Sequence, residues 1–111
     1  MYSRGDEMDT QLKKGVLDMC VLGILKKEDA YGYIIYQRIN GLLGISESTI
    51  YPILRRFVKA GYLKSYLKPS SSGPARKYFS ITDGGVHQYN ELIIQWKKFE
   101  KTINNQVVRS D

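Results

Sequence analysis

From Gln11 to Lys27 the chain carries Leu12, Val16, Leu17, Met19, Cys20, Val21, Leu22, Ile24 and Leu25 in close succession, which predicts a helix apolar on nearly every side over its second half. Such a helix must be covered all round. Asp9 or Thr10 can cap it, and Lys26 and Lys27 suit the negative end of its dipole. A second helix is expected over residues 30–40, capped by Asp29, with Tyr31, Ile34, Ile35 and Ile39 inward and Asn40 and Gly41 at its end. Gly44 then centres a short turn. Ile50, Ile53, Leu54, Phe57 and Val58 recur at the spacing of a third helix, with Ser46 as cap and Ile45 placed to staple onto Ile50. Its opposite face carries Ser48, Pro52, Arg55 and Lys59, flanked by Thr49, Tyr51 and Arg56.

Pro52 removes an N–H that this helix would use and crowds the Ser48 carbonyl. Either the helix starts at Tyr51 or Pro52, or it starts at Ser46 and bends; the apolar stripe running back to Ile45 favours the second. Lys59 falls in the last turn and Gly61 where a left-handed cap belongs. Beyond it the period changes to two. Tyr62, Lys64, Tyr66 and Lys68 alternate against Leu63, Ser65 and Leu67, residues 69–74 form a flexible Ser/Gly/Pro turn, and residues 75–81 alternate again. Thr82 caps a last helix running to about Asn104, in which Val86, Tyr89, Ile93, Trp96 and Ile103 make a stripe broken at Glu100 and widened by Leu92 and Phe99.

Helix, short turn, helix and hairpin predict a mainly α fold with a small β-hairpin: a winged helix-turn-helix over residues 9–82, followed by one additional C-terminal dimerisation helix over residues 83–105. The whole chain of 111 residues suits a single domain. Apolar surplus on the first and last helices points to a homodimer seam of Leu12, Val16, Cys20, Leu92, Ile93, Trp96, Phe99 and Ile103. The alternative is a last helix packed on its own domain in a monomer.

Charge sharpens the picture. Residues 48–82 contain seven basic residues and no acidic one, whereas the remainder is close to neutral, so the net charge of +6 resides in the third helix and hairpin. A one-signed segment in a balanced chain is the footprint of a polyanion site. On that reading Ser46, Ser48, Thr49 and Tyr51 read or flank base edges of double-stranded DNA, and Arg55 and Arg56 hold phosphates or a guanine. Tyr36, Lys64, Arg76 and Lys77 clamp the backbone. The bland alternatives are a solvated basic face and a hairpin that only closes the core.

Other classes are poorly served. With one His, one Cys, no metal-ligand spacing and no Gly-rich phosphate cradle, neither an enzyme nor a metal or other cofactor is expected. No export signal is visible, the longest apolar run falls short of the roughly 20 residues of a membrane span, and the lone Cys20 reads as a buried inert thiol, so a cytoplasmic location is expected and no membrane partner. A winged helix used for protein docking or RNA binding remains the rival.

The segments A-Y-G-Y (30–33), S-E-S-T-I-Y-P-I-L-R-R-F (46–57), A-G-Y-L (60–63), S-G-P-A-R-K-Y-F (72–79) and I-T-D-G-G (81–85) resemble the PadR family of bacterial transcriptional regulators. The resemblance covers roughly residues 12–103, with Phe57 in place of the commoner leucine and residues 58–60 less acidic than usual. It implies a repressor that binds a pseudo-palindromic operator and lets go on a small-molecule or stress signal. The single helix after the hairpin is similar to the short, multidrug-responsive members, whose dimer pore holds flat aromatic drugs between two tryptophans, and Trp96 occupies a similar place. A planar aromatic effector would then meet Met8, Val16, Tyr89, Ile93, Trp96 and Glu100. Alternatively, Trp96 simply fills the seam.

Overall fold

The computed structural model describes the backbone of residues 5–109 and the side chains of residues 15–109. The elements run α1 (Gly5–Lys27), β1 (Ala30–Tyr31), α2 (Gly32–Leu43), α3 (Glu47–Lys59), β2 (Leu63–Ser70), β3 (Gly73–Ile81) and α4 (Asp83–Ile103). A π-helical turn, Asn104–Val108, extends α4 beyond the expected end. The helix at the N-terminus also exceeds expectation, since Asp9 and Thr10 lie inside α1 rather than capping it. The side chains of Met8 and Leu12 lie outside the described residues.

The apolar stripes converge on one core: Leu17, Val21, Leu22 and Leu25 from α1, Ile35 and Ile39 from α2, Ile50, Ile53, Leu54 and Phe57 from α3, closed by Ala30, Leu63 and Phe79. Val58 is not part of it. Being next to Phe57 on the helix it turns outward and is 36% exposed, which corrects the expected stripe. Nor does α4 contribute a buried large side chain; Tyr89 and Leu92 pack against the core from outside, while Ile94, Trp96 and Phe99 are exposed.

A strand absent from the sequence reading begins the sheet. Ala30 and Tyr31 pair with Phe79 and Tyr78, giving antiparallel order β1-β3-β2. Two residues carry too little periodicity to announce a strand, so the second helix starts two positions later than expected, at Gly32, with Tyr31 rather than Asp29 before it. It also runs past Asn40 to Leu43 before Gly44 turns the chain. The Asn40 side chain accepts a hydrogen bond from the Ile45 N–H at 3.1 Å, bracing that turn. In the hairpin the strands reach Ser70 and Gly73, so a tight two-residue turn replaces the expected flexible segment. Pro69 is accommodated by a bulge between Lys68 and Ser70, where a missing donor interrupts the ladder least.

α3 is continuous through Pro52, consistent with a start beside Ser46. Its other end is a Schellman arrangement, with Tyr62 N–H donating to the Phe57 carbonyl at 2.9 Å and Gly61 N–H to that of Val58 at 3.1 Å. Gly61 supplies the φ of +84° that this reversal demands. Thr82 then caps α4 by accepting from Gly85 N–H at 3.0 Å, and its hydroxyl donates to the Gly61 carbonyl at 2.7 Å.

Candidate nucleic-acid interface

At the start of α3 three hydroxyls meet. Ser46 Oγ lies 3.0 Å from Ser48 Oγ and 3.1 Å from Thr49 Oγ1. Ser46 therefore occupies the cap position but turns its side chain to its neighbours, and only its backbone carbonyl accepts from Thr49 N–H, at 3.1 Å. This small polar tip can donate to or accept from a base edge or phosphate and sits at the positive end of the helix dipole.

Tyr51 is more constrained. Its hydroxyl donates to Glu47 at 3.1 Å, and its ring covers Gly32 so closely that a Cβ there would stand 2.5 Å from Cε1. Burial first, and the Glu47 carboxylate second, push the Tyr51 phenol above its ordinary pKa. The glycine of A-Y-G-Y and the tyrosine of T-I-Y-P are thus two halves of one packing contact between α2 and α3.

Further along α3, Arg55 and Lys59 are exposed and make no ion pair among the described residues. Arg56 differs from expectation. It grips Asp18 on α1, and this hydrogen bond holds the guanidinium pKa above its already high value. A paired guanidinium is less available to phosphate than Arg55 is.

On the wing, register and alternation place Arg76, Tyr78, Lys68, Tyr66 and Lys64 on one face and Lys77 and Phe79 on the other. Arg76 lies 4.7 Å over the Tyr31 ring and Lys68 4.8 Å over that of Tyr78. The rings continue the stack: Tyr31 to Tyr78 at 5.3 Å and Tyr78 to Tyr66 at 5.8 Å, with the Tyr66 hydroxyl donating to Asp29 at 2.7 Å. Two of the wing cations, Lys68 and Arg76, are therefore held over aromatic faces.

Between α3 and the wing lies an open cleft of about 630 Å³. Arg55, Lys59, Arg76 and Lys77 line it together with Tyr31, Tyr33 and Tyr51, over an apolar floor including Leu54 and Phe79. Of the residues expected to touch DNA, the structure brings Tyr51, Arg55, Arg76 and Lys77 together here. Lys64 is exposed on the outer face of the sheet, and Tyr36 is half-buried against the core with its ring 5.8 Å from Tyr33.

A model of the PadR-like family of transcriptional regulators matches residues 21–91. The chain belongs to this family. A PadR-like regulator from Bacillus cereus of known structure is similar to it, with 40% identity and a TM-score of 0.80 over 91% of this chain and 99% of that one. A PadR family regulator from Eggerthella lenta gives a TM-score of 0.83 at 30% identity, covering 96% of this chain and 93% of the other. The negative transcriptional regulator PadR of Bacillus subtilis is 24% identical over 82% of this chain, which spans about half, 52%, of that protein's length. The PadR-like family comprises regulators of transcription that bind DNA, not enzymes, and the α3–wing surface is its winged-helix element in this chain. No described helix is long and apolar enough to cross a membrane, and no described cluster of His, Cys, Asp and Glu could hold a metal.

Sequence reading overlooked Tyr31 and Val58 as parts of this surface. Lys59 was already visible opposite the stripe, whereas Tyr31 was hidden by its assignment to α2. Within one chain the described effector candidates other than Glu100 fall in two grooves. Val16 and Trp96 line a groove of about 340 Å³ between α1 and α4, with Met19, Leu92 and Phe99. Tyr89 and Ile93 line a separate groove of about 420 Å³ beside Cys20 and Gly23. Glu100 lines neither groove. Cys20 is half-buried, and burial raises its thiol pKa, which keeps it protonated and unreactive.

Proposed function

We propose that the chain is a dimeric, sequence-specific repressor of transcription that binds a pseudo-palindromic duplex operator and releases it on a small-molecule signal. The observation that carries the DNA reading is the shared surface of α3 and the wing, where Arg55, Lys59, Arg76 and Lys77 line one cleft without carboxylate partners among the described residues, with a hydroxyl-bearing tip at the start of the same helix. The name of the Bacillus subtilis relative supports repression. Ser48 and Thr49 read base edges, Arg55 and Lys59 meet phosphate or guanine, and Arg76 and Lys77 hold the flanking backbone.

Two copies joined through α1 and α4 bury the exposed Trp96 and Phe99 and set two α3 helices about 10 bp apart, in successive major grooves. A flat aromatic effector enters the seam beside Trp96. On the wing, Tyr66 stacks on Tyr78, and Arg76 and Lys68 lie over the rings of Tyr31 and Tyr78, which occupies aromatic faces that an RNA single strand would use.

The test is genomic-fragment selection followed by anisotropy titrations across salt. Arg76→Ala should weaken all duplexes alike and reduce the salt slope by about one unit, whereas Ser48→Ala should change sequence preference. Binding indifferent to both salt and sequence would leave a protein-docking adaptor.

A further inference from the structure

We propose that the cleft between α3 and the wing is a binding site for a planar aromatic anion, and that its occupant excludes DNA from the same surface. The second half rests on the DNA reading above; the first does not. Phosphates of a duplex need the cations at the rim but make no use of an apolar floor beneath them. Here the lining is mainly apolar: the core residues Leu54 and Phe79 close the bottom, and the more exposed Val58 and Tyr33 stand at the sides. The cleft volume of about 630 Å³ falls in the range of small-molecule sites, roughly 300–1,000 Å³.

Tyr33 and Tyr51 supply flat walls, and the charged residues that line the cleft have one sign. Arg55, Lys59, Arg76 and Lys77 all line the cleft, while the described acids that make ion pairs, Asp18 and Glu28, are engaged with Arg56 and Arg38 elsewhere. Among the described residues Glu47 is the one carboxylate hydrogen-bonded to a lining residue, and it accepts from the outer end of Tyr51. An aromatic body stacked on tyrosine with a sulfonate, carboxylate or phosphate toward the rim satisfies both floor and charge. The groove beside Trp96 differs in kind, because its lining includes no cation.

The probe is 8-anilinonaphthalene-1-sulfonate, compared with N-phenyl-1-naphthylamine, which has the same aromatic body and no charge. Fluorescence titration of the full chain should show the sulfonate binding at least about ten-fold more tightly. Val58→Glu and Lys77→Glu, both at exposed positions, should each weaken the sulfonate by about that factor; Lys77→Glu should leave the neutral probe unchanged, and melting curves should confirm that both fold. The sulfonate should also raise the apparent Kd for operator DNA linearly with its concentration. Equal affinity for the two probes, or indifference of the sulfonate to both variants, overturns the site. A ternary complex with DNA overturns the exclusion. If the wild-type chain bound no duplex at all, the DNA reading would fall, while the probe comparison would still decide the cleft: a preference abolished by the variants supports it, and no preference refutes it.

Discussion

The Arg56 guanidinium holds the Asp18 carboxylate in two parallel hydrogen bonds, Nη2 to Oδ1 at 2.9 Å and Nη1 to Oδ2 at 3.2 Å, joining α3 to α1 across 38 positions of sequence. Both groups keep solvent contact, with side-chain exposures of 56% and 26%, so screening holds the stabilisation to about 1 kcal/mol or less. Asp18→Ala should thus lower the melting temperature only slightly. It should also free a cation on the DNA-facing helix and steepen the salt dependence of operator binding by up to about one unit. An unchanged slope would mean that Arg56 stays away from phosphate even when released.

Alkaline titration tests the tether of the wing. The hydrogen bond to Asp29 raises the Tyr66 phenol above its ordinary value, and burial followed by Glu47 does the same for Tyr51. A folded-state pKa above the unfolded one gives stability that is complete below about pH 10 and fades as pH climbs through the folded value. Absorbance near 295 nm should show late-ionising tyrosines; Asp29→Asn should bring the Tyr66 component forward, and Tyr66→Phe should delete it.

Gly32→Ala places a methyl 2.5 Å from the Tyr51 ring, and that ring must move. The expected cost is about 1–2 kcal/mol, near the lower end for overpacking because one side chain can give way. Tyr51→Ala should relieve most of it, which a double-mutant cycle in urea would measure. Additive costs would show that the two residues do not share the strain.

Phe57 is 2% exposed in the middle of the core, and Phe57→Ala should cost about 3–5 kcal/mol, enough to unfold a marginal domain at 37 °C. Ile93 and Trp96 present the contrasting case. Replacing both with Glu should leave the folded core intact, because neither is buried in it, but should yield monomers in ultracentrifugation and weaken operator binding by loss of the second half-site. A double variant that stayed dimeric would place the interface elsewhere.

Long stripes were legible in the sequence because burial repeats along them: Ile50, Ile53, Leu54 and Phe57 could be placed on one face by spacing alone, and all four are buried. The charge block likewise marked α3 and the wing. What spacing cannot carry is a contact between distant segments. Arg56 looks the same as Arg55 until α1 brings Asp18 beside it, and Tyr31 looks helical until β3 offers it a strand partner. The wing tip misled for a local reason: Pro69 and Pro74 suggested a loose turn, yet both are accommodated in the hairpin strands. For the seam, the stripe on α4 was evident, but the division of its residues between two grooves depends on how α1 crosses it.

Thr82 clasps the carbonyl of Gly61, so the start of the last helix is fastened to the same turn that ends α3. With its 21 residues, α4 is a lever about 31 Å long, and a tilt of about 10° at that fulcrum would sweep its far end through about 5 Å. Run in reverse, the gearing is favourable: several ångströms of displacement where Trp96 and Phe99 lie become a small, stiff rotation at the end of α3. A wedge driven under the long arm would re-aim α3 without touching its exposed face.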